Sequence, residues 1–318
     1  MRSEPPQKQP CPAPPAAAMA VVRLSLVRVT LEVTVILLEG LAVLFIFLFG
    51  KPFRRGFFCD DESIRHPVKA DTVPSLALAL VALGLPLLVV VVTERVVWGA
   101  RPRSGGGGGG GGGVTVSLCS GRAAVPRWVS RASAAALAFL WGAGAQQLLV
   151  DSAKLVVGRL RPHFFTACQP DVNCSVLQPP YTYITDYTCL GTDPDVIDEA
   201  RLSFPSGHSS LSFYAAVFTI IYIGRTGGPW AATLPRHLLQ FVLFLAAWCC
   251  ALSRVSDYMH HWSDVLAGSS IGTATAILTM VFVQPQRRRA SGGPAAGAAE
   301  ALSEGNVYGS VDGSVPPA

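Results

Sequence analysis

The chain has 318 residues, of which 50% are hydrophobic and only 14% are charged, and its mean hydropathy is +0.42. This apolar content exceeds what the core of one soluble domain requires. The formal net charge of +5 is small, and the arginines are spread between apolar segments rather than gathered in one stretch, so the composition gives nucleic-acid binding little support. A membrane protein is therefore the first hypothesis.

Six apolar segments reach or approach the roughly 20 residues that a transmembrane helix needs. The fourth and fifth are short and reach that length only with polar flanks such as Phe204–Ser210. We therefore predict an all-α integral membrane bundle of six transmembrane helices within residues 25–286. In chain order the segments are Val27–Phe49, Leu76–Trp98, Ala132–Val157, Leu211–Ile223, Leu238–Leu252 and Val265–Val283.

Three stretches outside this bundle have the composition of a chain that does not pack. Residues 1–24 are rich in proline and alanine, residues 287–318 are rich in glycine, alanine and serine, and an unbroken run of glycine extends from Gly105 to Gly113. Such sequences bury too little apolar surface to become ordered. We predict two disordered cytoplasmic tails and a flexible insertion in a cytoplasmic loop, none of them catalytic.

The distribution of positive charge favours one orientation in the membrane. With six spans, the termini share one side with the second and fourth connections, and these segments hold more arginine and lysine than the other connections. By the positive-inside tendency, the termini are cytoplasmic and the first, third and fifth connections face the cell exterior or a lumen. The plasma membrane is the predicted location. The sequence leaves the oligomeric state open, with a homo-oligomer among the arrangements it allows.

Two features of the third connection agree with this orientation. Asn173-Cys174-Ser175 is a glycosylation sequon, which is used only on the luminal or extracellular side. Cys59, Cys168, Cys174 and Cys189 fall on the same predicted side, where disulfides form. A Cys168–Cys189 bridge is one candidate, but four cysteines allow three pairings and the sequence does not choose between them.

The first of three polar clusters lies at the end of the third predicted helix. Lys154 and Arg161 are seven residues apart, about two helical turns, so both cations are expected on one face of the helix. Pro162 then limits that helix. Taken alone, the pair is also typical of two basic side chains that extend to the membrane surface.

The second cluster, Ser203-Phe204-Pro205-Ser206-Gly207-His208, begins the fourth predicted helix. It places the Ser206 and Gly207 backbone N–H groups at the positive end of that helix, which is a site for anions. Gly207 allows an oxyanion to approach the backbone, and His208 adds a group that exchanges protons near neutral pH. A plain helix cap followed by an incidental histidine is the simpler interpretation of this segment alone.

The third cluster contains Ser253-Arg254 and, further on, His260 and Asp264. The spacing of four residues between His260 and Asp264 predicts a carboxylate beside an imidazole at the start of the sixth helix, which would fix one tautomer. Such a pair is the geometry of an activated nucleophile. His261 is the rival partner of Asp264, and a surface His–Asp pair is the alternative without function.

The three clusters together predict chemistry on a phosphate group. Hydrolysis of phosphate monoesters is among the slowest uncatalysed reactions, and its catalysis depends on stabilising charge over the equatorial oxygens. Lys154, Arg161 and Arg254 suit that task. A carboxylate-rich site for two metal ions is not apparent, and three cations would disfavour a divalent ion. We therefore expect a reaction that uses no metal and no other cofactor.

The chain resembles the lipid phosphate phosphatases, also called phospholipid phosphatases or type 2 phosphatidic acid phosphatases, which belong to a larger group with the vanadium haloperoxidases. The resemblance is carried by KLVVGRLRP from Lys154, PSGH from Pro205 and SRVSDYMHHWSD from Ser253. It begins near Glu32, includes Arg55–Cys59 and Glu199–Ser203, and ends with the sixth helix.

The resemblance implies a role for each motif residue. His260 would attack phosphorus to give a phosphohistidine, Asp264 would orient it, and His208 would protonate the leaving lipid oxygen. The substrates of the family include phosphatidate, lysophosphatidate, ceramide 1-phosphate and sphingosine 1-phosphate, which lie among the membrane lipids. The groups that would hold the phosphate are Lys154, Arg161, Ser206, Gly207 and Arg254.

Two other functions use a similar pocket. A catalytically silent membrane protein would bind lipid phosphate without cleaving it, but the presence of both His260 and Asp264 argues against this reading. A vanadium-dependent peroxidase would oxidise a soluble halide, a reaction for which six apolar spans have no evident use. Phosphatase activity is the function that the sequence predicts.

Overall fold

A computed structural model of the chain describes residues 16–99, 114–118, 121–174, 182–226 and 232–283. The fold is helical, with two small two-stranded antiparallel sheets. The predicted insertion Gly105–Gly113 and the predicted tail 287–318 lie outside the described residues. The helices are α1 (Ala16–Phe49), α2 (Ser75–Gly99), α3 (Arg127–Val157), α4 (Phe164–Cys168), α5 (Pro194–Glu199), α6 (Gly207–Thr226), α7 (Thr233–Ser256) and α8 (Trp262–Leu278), the last continued by the π-helical turn Thr279–Val283.

Five of these helices, α1, α2, α3, α7 and α8, are long and apolar enough to cross a membrane. Their outer faces carry large apolar side chains that are mostly exposed, such as Phe47 at 80% and Leu234 at 81%. Surfaces of this kind are stable against lipid but not against water. The protein is therefore a multi-pass membrane protein, as the sequence predicted. Helix α1 begins at Ala16, so it includes the end of the segment predicted as a disordered tail.

Helix α6 contains the fourth predicted segment and forms the centre of the bundle. It packs against α2, α3, α7 and α8, and its aromatic side chains Tyr214, Phe218 and Tyr222 are buried. The ring of Phe139 from α3 lies 5.4 Å from that of Tyr214 and 4.9 Å from that of Phe218, measured between centroids. The Tyr214 hydroxyl donates to the Phe139 carbonyl at 2.7 Å. These contacts fix α6 relative to α3.

Two glycines four residues apart bring α8 against α6. A Cβ atom at Gly268 would clash with the carbonyl oxygen of Ser206, and one at Gly272 would clash with that of Ser210. Small residues at this spacing let two helix backbones approach closely. At the other end of the pair, Arg225 Nη1 of α6 donates to the Met280 carbonyl at 2.6 Å. The two helices therefore start together, run in the same direction and end together.

Connections that follow α1 and α3 form a layer over one end of the bundle, which we call the cap (residues 50–74 and 158–206, where described). Strand β1 (Phe57–Phe58) pairs antiparallel with β4 (Tyr183–Ile184), while β2 (Val114–Leu118) and β3 (Gly121–Val125) form a separate hairpin between α2 and α3. The core of the cap contains Phe57, Leu160 and Phe164.

Two disulfides hold the cap. Cys168 pairs with Cys189, which confirms the one bridge named from the sequence, and Cys59 pairs with Cys174. The second bridge joins the first connection to the third, across 115 residues of sequence. Both connections therefore lie at the same end of the bundle.

Candidate active site

The end of α3 differs from the prediction. Helix α3 stops at Val157 because Gly158 takes a left-handed conformation with φ of 54° and donates its N–H to the Lys154 carbonyl at 3.0 Å. Arg161 therefore lies in the loop beyond the helix, and the argument that placed it on one helical face with Lys154 was wrong. The loop is held by the Arg161 backbone N–H, which donates to the Ala200 carbonyl at 2.8 Å. Both cations still act on one site, because in addition to burial the charges of Arg161 and Lys154 lower the pKa of His260.

Lys154 joins the first cluster to the second. Its Nζ lies 3.6 Å from Asp151 Oδ1, one turn earlier in the helix. A Cβ atom placed on Gly207 would lie 3.3 Å from the same Nζ, so the ammonium group faces the N-terminus of α6. An anion at that N-terminus would contact both a full positive charge and the partial charge of the helix end.

Arg161 is buried and partly paired. Its Nη2 lies 3.0 Å from Glu199 Oε1, and its Nη1 contacts the sulfur of Met259 at 3.3 Å. The Nε atom is buried and finds no hydrogen-bond partner within the part of the chain that the structure describes. A buried donor without an acceptor is costly, so Arg161 keeps capacity for an anion.

Helix α6 begins within the predicted polar segment, but the Ser206 backbone N–H is already bound to another part of the protein. Gly207 is the first helical residue, and His208 follows it. The Ser206 backbone N–H donates to the Asp264 carbonyl at 3.0 Å, so it is not aimed at an anion as predicted. The Ser206 hydroxyl oxygen accepts from the Ser209 hydroxyl at 3.0 Å, which leaves the Ser206 hydroxyl proton for a further acceptor.

Arg254 lies in the last turn of α7 and is 2% exposed. Its Nη2 donates to Asp71 Oδ1 at 2.7 Å, and its Nη1 lies 3.7 Å from Asp257 Oδ2. The Nε and Nη1 atoms have no hydrogen-bond partner among the described residues. Arg254 and Arg161 therefore both hold unpaired buried donors, and both guanidinium groups lower the pKa of His260.

His260 has a different partner from the one predicted. Its Nδ1 lies 2.6 Å from the backbone carbonyl oxygen of Ser203, not beside Asp264. The i, i+4 argument was wrong because α8 starts only at Trp262, with His261 as its N-cap, so His260 is not in the helix. Since a carbonyl only accepts, Nδ1 must carry the proton, and Nε2 of the neutral ring keeps its lone pair.

Asp264 instead supports the residues around His260. Its carboxylate accepts from the Ser203 hydroxyl at 2.6 Å and from the His261 N–H at 3.0 Å, with His261 Nδ1 at 3.2 Å. Arg159 Nη1 donates to the other carboxylate oxygen. Asp264 thus fixes Ser203 through its side chain, and Ser203 fixes His260 through its carbonyl. The rival His261 is the histidine that contacts the carboxylate.

The surroundings of His260 keep its imidazole neutral. Burial lowers the pKa of His260 well below its usual value, and the positive charges of Arg161, Lys154 and Arg254 lower this pKa further. Protonation would add a fourth positive charge to a buried site that already holds three. A neutral ring with a free Nε2 is the form that a nucleophile requires.

His208 lies opposite, at the start of α6, and is half-buried. Its Nε2 lies 3.1 Å from the Val73 carbonyl oxygen, so this nitrogen carries the proton in the arrangement described. Val73 and Asp71 belong to the first connection, and Arg159 to the loop after α3. Sequence reasoning missed all three contributions: Asp71 and Val73 are far from the motifs in sequence, and Arg159, although it lies within the first motif, contacts a carboxylate 105 residues away.

Two further predictions concern residues at the edge of the site. No group of three or more His, Cys, Asp or Glu side chains that could hold a metal ion occurs in the described ranges.

Asn173 is exposed and precedes the disulfide-bonded Cys174, whereas Ser175 of the sequon lies outside the described residues. Use of the sequon stays a prediction.

The chain is similar to known proteins over most of its length. Residues 135–288 match the model of the PAP2 superfamily, and this range includes all three motifs. The chain is 39% identical to phospholipid phosphatase 1 of Rattus norvegicus over 260 residues, which cover 80% of this chain and 84% of that protein. It is 36% identical to phospholipid phosphatase 2 of Homo sapiens over 81% of this chain and 83% of that protein. No solved structure matches the chain significantly.

Proposed function

Because the chain belongs to the phospholipid phosphatase family, we propose that it hydrolyses lipid phosphate monoesters to the dephosphorylated lipid and inorganic phosphate through a phosphohistidine. The proposed substrates are phosphatidate, lysophosphatidate, ceramide 1-phosphate and sphingosine 1-phosphate. The observation that carries the proposal is the buried, neutral His260, whose Nδ1 is held by the Ser203 carbonyl while Lys154, Arg161 and Arg254 surround it. This arrangement supports nucleophilic attack on an anionic group.

In the first step, the Nε2 lone pair of His260 forms a bond to phosphorus and the bond from phosphorus to the lipid oxygen breaks. His208 enters this step as the imidazolium, donates one of its two ring protons to that oxygen and becomes neutral, so the lipid leaves as an alcohol. In the second step, water attacks the phosphohistidine and His208 takes the proton of the water. The bond between phosphorus and Nε2 breaks, which releases phosphate and restores both histidines.

The phosphate oxygens would be held by cations and by the start of α6. Hydrogen-bond donors surround the position of the phosphate on several sides. They are Lys154 Nζ, the unpaired donors of Arg161 and Arg254, the Ser206 hydroxyl and the Gly207 backbone N–H. These groups stabilise the charge that spreads over the equatorial oxygens in the transition state. Three fixed cations supply what a metal ion supplies in other phosphatases, so we propose that the reaction is independent of metal.

The same proposal assigns an orientation. The residues of the site come from the cap and from the ends of α3, α6 and α7, so the site lies at one membrane surface. We propose that this surface is extracellular or luminal, that the termini are cytoplasmic, that the membrane is the plasma membrane, and that Asn173 is glycosylated. The charge bias of the connections and the sequon support this assignment.

A single assay tests the reaction and its metal independence. Purified protein in mixed detergent micelles should release phosphate from phosphatidate, and the rate should persist in EDTA and fall with orthovanadate, which resembles the transition state. His260→Ala, purified in parallel, should release none. Complete loss of activity on chelation that is restored by magnesium would overturn the metal-free mechanism, and an inactive wild-type protein that still binds lipid phosphate would favour the silent alternative.

A further inference from the structure

A segment of the first connection lies directly against the proposed site. We call this segment, Lys69–Val73, the strap. Asp71 accepts from Arg254 at 2.7 Å, the Val73 carbonyl oxygen lies 3.1 Å from His208 Nε2, and Lys69 Nζ donates to the Ser256 carbonyl at 3.1 Å. The strap therefore contacts a residue on the phosphate side of the site and the residue on the leaving-group side.

Asp257 fastens the strap to the end of α7. Its two carboxylate oxygens accept from the Thr72 backbone N–H at 2.9 Å and from the Thr72 hydroxyl at 2.7 Å. Asp257 is 5% exposed and is the C-cap of α7, three residues after Arg254. The position of Asp71 is therefore fixed relative to the helix that carries Arg254.

The contact with Asp71 determines how the Arg254 guanidinium is oriented. A guanidinium group is planar, so an acceptor that holds one nitrogen also sets the directions of the other two. Asp71 takes Nη2, and Asp257 Oδ2 lies 3.7 Å from Nη1, so both carboxylates are at the two terminal nitrogens. The Nε atom has neither a hydrogen-bond partner nor a carboxylate beside it in the described part of the chain. The carboxylate also offsets part of the cost of burying this cation.

We propose that Asp71 is a positioning residue that holds the Arg254 guanidinium so that its Nε side faces the substrate phosphate. The proposal rests on the proposed function of the site. Asp71 would not itself touch the substrate, because a carboxylate repels a phosphate; it would hold Nη2, while the Nε–H group meets the phosphate. The first connection would then belong to the active site, with Thr72 and Asp257 keeping it in place.

The inhibition constant of orthovanadate tests this role, because vanadate reports oxyanion binding without the lipid. Asp71→Asn removes the charge and weakens the hydrogen bond at nearly constant shape, so the constant should rise by about 10- to 100-fold, the size of effect that a small misplacement produces. Asp71→Glu should recover part of this loss. Asp60→Asn is the matched control, since Asp60 is exposed in the same connection and its substitution should leave the constant unchanged.

Other outcomes separate this proposal from the function on which it rests. An inhibition constant that is unchanged in Asp71→Asn, or that falls because the carboxylate had competed with the anion, would overturn the proposal while leaving the phosphatase assignment intact. Arg254→Ala tests the site itself and should abolish turnover. If Arg254→Ala stays fully active, both the site assignment and the role of Asp71 are wrong. Elution of each variant as a monodisperse peak in detergent excludes misfolding as the cause.

Discussion

In the proposed mechanism, the hydrogen bond from His260 to the Ser203 carbonyl decides which nitrogen of the ring attacks phosphorus. It holds the proton on Nδ1 and leaves Nε2 free, a role that sequence reasoning gave to Asp264. The carboxylate acts one step further away, by fixing Ser203 through a 2.6 Å hydrogen bond. We therefore propose that Asp264 is a positioning residue, and that the residues that touch the reacting groups are His260, His208 and the three cations.

The two histidines should respond differently to substitution. His260→Ala removes the nucleophile and should abolish both turnover and phosphoenzyme. His208→Ala removes only the proton donor, so hydrolysis of phosphatidate should fall by about 10²- to 10⁴-fold, the usual contribution of a general acid. A phosphoenzyme should still form in His208→Ala with a substrate whose leaving group needs little protonation.

His261→Ala is the control for this comparison. It should retain most of the activity, because Ser203 and Arg159 still hold Asp264 when the His261 ring is absent. Rapid quenching followed by mass spectrometry under conditions that preserve phosphohistidine would locate the phosphate. Phosphate found on His208 or His261 would show that the roles are misassigned.

At the scale of the element, the apolar runs predicted the helices well, including the ends of α1 at Phe49 and α3 at Val157, but the polar motifs beyond the runs were wrongly treated as helical. The third motif was treated as helical from His260, yet α8 starts two residues later, and α3 stops at Val157, before the limit at Pro162 on which the Lys154–Arg161 argument relied. A glycine in the left-handed conformation and an N-cap are single-residue events that hydrophobic patterns do not report. The first removed Arg161 from the helix of Lys154, and the second removed His260 from the helix of Asp264, although the residues of all three motifs still meet.

The close approach of α6 and α8 positions the site, and it depends on Gly268. Gly268→Ala introduces a Cβ atom against the Ser206 carbonyl, which is backbone and has little room to move. The start of α6 should shift relative to α8, and with it His208 and Ser206. We expect kcat/KM on phosphatidate to fall at least roughly 10-fold, because small displacements of catalytic groups are costly.

Gly84→Ala in α2 provides the matched control for this substitution. A Cβ atom there meets nothing within 4 Å, and alanine is the better helix former by about 1 kcal/mol. Activity and thermal stability in detergent should therefore be unchanged or slightly higher. Equal activity in Gly268→Ala and the wild type would show that the close packing of α6 and α8 does not govern the geometry of the site.

At the scale of the whole molecule, the count of six spans rests on α6. Helix α6 is mostly buried and is not among the five helices identified by length and apolarity, but it runs beside α8 from Ser206 near Asp264 to Arg225 near Met280. Since α8 is long enough to cross the membrane, we expect a helix that accompanies it over this length to cross as well. This argument supports the six-span proposal, which hydropathy alone supported only weakly at this segment.

The meeting of distant connections could be predicted only in outline. Alternation of six spans places the first, third and fifth connections on one side. The Cys59–Cys174 disulfide joins two connections of that set, and the Arg254–Asp71 ion pair joins the first connection to the end of α7, which leads into the fifth. Neither pair could be chosen from the sequence, because each joins residues more than 100 positions apart, beyond the range of any local spacing rule. The side of the membrane on which this set lies is still a prediction.

Glycosylation provides the test of sidedness. Asn173 is exposed and adjoins Cys174, which the disulfide ties to the cap, so a glycan there would place the cap and the site on the luminal or extracellular side. Protein expressed in cells that glycosylate asparagine should move faster on a gel after endoglycosidase treatment, and Asn173→Gln should abolish this shift. As the matched control, Gly109→Asn with Gly111→Thr in the Asn173→Gln background creates a sequon in the predicted cytoplasmic insertion, which should stay unmodified. A glycan at position 109 together with an unmodified Asn173 in the wild-type chain would reverse the proposed orientation and place the site in the cytoplasm.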